Sequence, residues 1–179
     1  MSRSAGLAVA VLLLASGGIL AQETPIRLGV FDPERVWKVT EVGKKYNQEL
    51  AEAASRLQDD IDKKQREFEA TADRLRKQRA SLSEDKIQQM QREMQSKRID
   101  LDRMKADANR EMSEQLNEVQ GRFQKMLIDT IEALGREKNY TLILSVEAVG
   151  YYSPEADITP EVIAKFNEMH KVPAAAVSP

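Results

Sequence analysis

Histidine and cysteine, the usual ligands of zinc and frequent catalytic groups, are scarce in this chain. His170 is the only histidine, and there is no cysteine. The Cys and His clusters that usually hold zinc are therefore missing, and disulfides cannot form. A lone histidine near the end of a helix is ordinarily a dipole-favoured or surface residue. Gly43-Lys44-Lys45 has the composition of a phosphate loop's end. Lys38, however, stands where that loop's first glycine belongs, and no Ser or Thr follows the lysines. No Gly-x-Ser-x-Gly occurs. The acid pair Asp59-Asp60 falls in a charged helical stretch, where carboxylates are ordinary solvated residues. No catalytic, cofactor or metal residue is assigned, and the chain is expected to act by binding and not as an enzyme.

Two groups of residues have types suited to binding. Arg74, Arg76, Lys77 and Arg79 crowd into six positions. They fit a solvated helix end, where the dipole favours positive charge, and equally a contact for anionic partners. No aromatics interleave with them, so nucleic acid is not an expected partner. Met90, Met94, Met104 and Met112, with Met126 beyond them, supply flexible, polarizable apolar surface. Most fall at the spacing of a helix–helix seam, so filling that seam is the competing reading.

The elements that must position these residues follow from the breakers. No proline lies between Pro33 and Pro154, and no glycine between Gly43 and Gly121. A stretch without either can be continuous helix. Charged residues make up 31% of the chain and aromatics 5%, a composition that suits long exposed helices better than a thick core. From Lys44 a heptad-like row runs through Ala54, Ile61, Phe68, Leu75 and Leu82, with Leu50 and Leu57 beside it. A second row runs through Ile87, Met94, Leu101 and Ala108, then shifts by four to Met112, Val119 and Met126, a stutter. Between the rows, Ser81 and Glu84 have capping-box spacing, and Asp85 adds first-turn negative charge. A turn near 80–83 therefore predicts an antiparallel helical hairpin, in preference to one helix of about 90 residues.

The flanks are different. Ile26 to Phe31 alternates like a strand, and Asp32-Pro33 opens a helix with Phe31 and Val36 as its staple and a reset near Gly43. After Leu134-Gly135 the second helix is expected to fade. Tyr140 to Val146 then reads as a buried strand and Val149 to Tyr152 as another. Thr159 as N-cap, Pro160 at the first position, and Ile158 with Ile163 as staple start a last helix. The expected fold is α+β. Residues 22–43 and 136–170 form a β-rich oligomerisation body, 44–135 the hairpin arm, and 171–179 a loose tail. Exposed strand edges on a thin core favour self-association. Residues 1–21 read as a secretory signal peptide: Arg3, an apolar run from Leu7 to Leu14, and cleavage after Ala21.

These segments resemble the Skp/OmpH family of periplasmic chaperones. The resemblance rests on "IRLGVFDPERVW", on "VGKKYNQEL" opening a charged hairpin, and on "YTLILSVEAVGYYSPEADITPEVIAKFNE". It implies a jellyfish-like homotrimer whose coiled-coil arms enclose a cavity. It also implies an ATP-independent holdase that binds unfolded outer-membrane β-barrel proteins in the periplasm. A structural coiled-coil spacer of the envelope is the second reading. Well-studied members of that family are strongly basic, whereas this chain has a pI near 5.6. Residues 44–120 carry 17 basic and 17 acidic side chains. Broad electrostatic capture is therefore not expected, and the basic tip is what remains for weak contact with anionic lipid or lipopolysaccharide.

Overall fold

A computed structural model of the chain describes residues 26–172. The expected signal peptide and residues 173–179 of the expected tail lie outside them. The order is β1 (Leu28–Phe31), α1 (Pro33–Val39), α2 (Glu41–Gln78), a 3-10 turn (Arg79–Ser81), α3 (Glu84–Lys138), β2 (Leu142–Ser145), two more 3-10 turns (Val146–Ala148 and Pro154–Ala156) and α4 (Thr159–Met169). The 38-residue α2 and 55-residue α3 form the expected hairpin. At about 1.5 Å per residue, α2 is roughly 57 Å long.

The hairpin is rooted where the two ends of the chain meet. β1 and β2 pair in parallel from Leu28–Leu142 to Phe31–Ser145, and a parallel bridge joins Val30 to Asp157. Asp32 caps α1 by accepting from Arg35 N at 3.0 Å. Phe31 and Val36, the two staple positions, are both buried in the core. Thr40 then serves both helices. Its N–H closes α1 on Val36 O at 3.1 Å, and its hydroxyl accepts from Gly43 N at 3.3 Å to open α2. The reset therefore falls at Thr40, and Gly43 lies in the first turn of α2. Glycine is needed there for space: a Cβ on Gly43 would sit 1.8 Å from Trp37 O.

Several local expectations are revised. The turn lies where predicted, but Ser81 Oγ donates back to Gln78 O at 2.9 Å, and Ser83 stands at the cap position with no side-chain cap bond. The capping box is thus not formed, because the 3-10 turn engages the Ser81 hydroxyl. α3 runs through Gly135 to Lys138 and ends on Asn139, left-handed at φ 55°. Asparagine tolerates that conformation, and its N–H closes the helix on Gly135 O. In α4 the Thr159 hydroxyl accepts from Asp32 N at 3.0 Å and does not cap its own helix. Asp157 Oδ1 takes the Thr159 N–H instead, at 2.8 Å.

The base is less β-rich than expected. Among the described residues it holds one two-stranded sheet beside α1, α4 and the roots of α2 and α3. β2 is half-exposed, not buried. Val149 to Tyr152 forms no strand. The Val146–Ala148 turn leads this segment off β2, and a strand needs a neighbouring edge to complete its hydrogen bonds. The core comprises Phe31, Val36, Val42, Phe123, Leu127, Leu134, Ile158, Val162 and Phe166. Phe166 is fully buried, with Phe123 4.9 Å and His170 4.7 Å away between ring centres.

Replacing Phe166 with alanine is expected to cost about 3–5 kcal/mol in urea unfolding. Gly43→Ala is expected to cost roughly 1–3 kcal/mol, since backbone must shift to admit the methyl group. A midpoint unchanged in either variant would contradict this account of the root.

Candidate functional site

Above the base, the arm is only two helices thick. α2 turns Leu50, Ala53, Leu57, Ile61, Phe68 and Leu75 inward, and α3 answers with Ile87, Met90, Leu101 and Ala108. Ala53, not Ala54, enters the seam. The departure is local: Ala53 is buried and Ala54 exposed, while Ile61, Phe68 and Leu75 keep the seven-residue row. On α3 the inward row passes from Ala108 to Met112 by four, as the stutter requires.

The methionines face this seam. Met90 is buried, and Met94, Met104, Met112 and Met126 are half-buried. Met104 joins Leu57 and Ala108 as the apolar floor of a shallow groove rimmed by Asp60, Asp100, Asp107 and Glu111, with Arg103 as its one cation. The fully presented apolar side chains are others: Ile99, Leu116 and Ile128 on α3, each at least 40% exposed. Sequence reasoning passed over them. Their signal was that an apolar residue off the seam rows has nothing in its own hairpin to cover it.

Arg74, Arg76, Lys77 and Arg79 are brought together at the free end, and all four are exposed. Arg76 pairs with Asp73 at 2.9 Å, while the other three make no ion pair among the described residues. A second exposed surface lies at the base. Leu28, Leu142, Leu144, Tyr151 and Tyr152 stand open on and beside the outer face of the sheet, lining a cavity of about 390 Å³ with Val149. Gly43 and the two lysines after it sit in the first turns of α2, so they form no phosphate loop. His170 caps α4, with Nε2 3.2 Å from both Thr130 Oγ1 and Met126 O. Its place is packing between α3 and α4. Among the described residues, no group of three His, Asp or Glu could hold a metal ion, and no helix is long and apolar enough to cross a membrane.

Charge pairs lie along these surfaces. Lys64 donates to Glu67 at 3.2 Å and, with help from Lys97 across the seam, holds that carboxyl below its ordinary range. At the root, Lys165 reaches both Glu137, at 2.8 Å, and Glu168, at 3.2 Å. The hydrogen bond to Glu137 raises the lysine and lowers that carboxyl.

A long two-helix arm on a small base of two strands and short helices defines a hairpin-armed α+β protein. Residues 27–166 match the family of outer membrane proteins described as OmpH-like, and the chain belongs to that family. Among solved structures, an OmpH-like protein from Caulobacter crescentus, designated an outer membrane chaperone, is similar with a TM-score of 0.77. It covers 84% of this chain and 89% of its own at 18% identity, a likeness of fold. No curated protein matches the sequence.

The Glu137–Lys165 pair predicts a pH dependence. A carboxyl held low in the folded state stabilises above the ordinary carboxylate range, and that contribution is lost as pH falls through the depressed value. Glu137→Gln is therefore expected to lower the urea midpoint at about pH 7, with the gap to the parent protein closing as the pH falls below the ordinary carboxylate range. A gap that persists unchanged in acid would assign the loss to packing instead.

Proposed function

We propose that this protein is an ATP-independent holdase of the periplasm, exported by a cleaved signal peptide, that binds unfolded outer-membrane β-barrel proteins and prevents their aggregation. One observation carries the reading. The buried core lies within residues 31–42 and 123–166, while residues 44–120 form an arm whose burial is confined to one thin seam. An arm that adds little to its own base has its use outside it. Ile99, Leu116 and the groove floored by Leu57, Met104 and Ala108 offer separate apolar contacts along its length. An unfolded barrel protein exposes alternating apolar side chains and unpaired backbone. Many weak contacts hold such a chain by avidity without fixing its structure. Binding of this kind uses no nucleotide, cofactor or metal.

The open sheet face suits self-association. Leu28, Leu142, Leu144 and Tyr152 would be covered by neighbouring subunits, with Val149–Tyr152 gaining a strand partner there. The oligomer proposed is a trimer, as the family resemblance implies. Weak contact of the exposed basic tip with anionic lipid or lipopolysaccharide is part of the same proposal.

Diluting a urea-unfolded outer-membrane barrel protein into buffer tests the reading by light scattering. Near-stoichiometric oligomer is expected to suppress scattering with no ATP present, and the pair Ile99→Ser and Leu116→Ser to weaken that suppression. Full scattering in the presence of folded oligomer would favour an envelope spacer. In a separate test, Leu144→Asp is expected to shift the mass measured by static light scattering toward that of the single chain. An unchanged mass would move the subunit contact away from the sheet.

A further inference from the structure

The arm's charges balance in total but are segregated by level. Leu57 and Asp60 of α2 line one groove with Asp100, Met104 and Ala108 of α3. The level just past residue 62 on α2 therefore meets the level just before residue 99 on α3. Toward the tip, residues 63–98 hold eleven basic and six acidic side chains. Toward the base, residues 44–62 and 99–120 together hold six basic and eleven acidic. The hairpin is a rod of about +5 over its outer half and about −5 over its inner half.

Local pairing does not erase this polarity. Arg74, Lys77, Arg79, Lys86, Arg92 and Arg98 are exposed and make no ion pair among the described residues. The same holds for Asp59, Asp60, Asp62, Asp100 and Asp102 of the inner half.

We propose that the arm is a docking surface for the arm of a second copy lying antiparallel to it, outer half against inner half. A two-fold axis at the charge boundary makes both matches at once, so the contact is self-complementary and closes. The partner's basic half meets the carboxylate rim of the groove, and the floor of Leu57, Met104 and Ala108 adds apolar contact beneath it. Two arms set parallel would oppose like charge at both levels, so the same pattern that attracts one orientation repels the other. This contact is independent of the sheet face, and it shares the groove floored by Leu57, Met104 and Ala108 with the proposed client contacts, so a bound client competes with it. Exposed charges act over about 10 Å at 0.1 M salt and over much less at 1 M. The arm contact therefore weakens as salt rises, whereas an apolar sheet contact does not.

Sedimentation velocity on the purified protein tests this. At roughly 20 mM salt a species of twice the basal oligomer's mass is expected, and it disappears by roughly 500 mM. Reversing the outer half with Arg74→Glu, Lys77→Glu, Arg79→Glu and Lys86→Glu removes the doubled species at low salt. Reversing the inner half with Asp59→Lys, Asp60→Lys, Asp100→Lys and Asp102→Lys removes it too. A protein carrying both sets regains it, because its polarity is inverted but still complementary. Circular dichroism checks that each variant keeps its helix content. Absence of the doubled species at low salt, its survival at high salt, or its survival in either singly reversed variant would overturn the proposal.

Discussion

Ile158 N donates to Val30 O at 2.8 Å, and Asp32 N donates to the Thr159 hydroxyl at 3.0 Å. These two bonds, with the parallel pairing of β1 and β2, tie the two ends of the described chain together. Everything else hangs from that tie. A hairpin of two long helices cannot anchor itself, because its seam buries one stripe per helix and leaves the rest in water. Joining the ends brings α1 and α4 against the roots of α2 and α3 and makes the aromatic core of Phe123, Phe166 and Trp37. Stability is concentrated at one end, which leaves the other end free to be selected for what it touches.

That concentration explains the composition. A side chain in the arm has water on most sides, so charged residues with strong helix propensity fill it at little cost. Intrahelical pairs such as Lys45–Glu49 and Lys97–Glu93 add a few tenths of a kcal/mol each at most. They leave the seam, with its small Ala53 and Ala108 and its adaptable methionines, as the main bond between the helices. Among the described residues, the fully buried apolar side chains are those of the base, Val36, Val162 and Phe166.

The parts legible in the sequence were those decided locally. Asp32-Pro33 carries a local helix-start signal, and the absence of Gly and Pro from 44 to 120 left helix as the natural reading. The stutter after Ala108 appeared as a change of spacing and is present as one. The parts that were not legible depend on distant groups. Ser81 and Thr159 have capping residue types, but their hydroxyls are engaged by Gln78 O and Asp32 N. Val149 to Tyr152 has strand residues without a strand beside it in this chain. Ala54 belongs to the heptad written in the sequence, whereas Ala53 belongs to the helix that actually forms. At the arm, the basic tip could be read from four adjacent residues. The exposure of Ile99 and Leu116 required knowing which way the seam faces.

Charge gives the sharpest case of information that needs the fold. Counted along residues 44–120, the basic and acidic side chains cancel at 17 each, and the arm looks electrostatically featureless. Folded at residues 79–83, the same chain places 44–62 beside 99–120, both acid-rich, and leaves 63–98 as one basic end. The hairpin turn converts a neutral list into a dipolar rod. A uniformly neutral arm would be indifferent to the direction of a neighbour. A dipolar one is not: neighbours pointing the same way are pushed apart at both levels, and a neighbour pointing the other way is drawn in. Arms rooted side by side on a shared base would thus be held open by the charge pattern itself. Attraction would be kept for partners that approach from the open end.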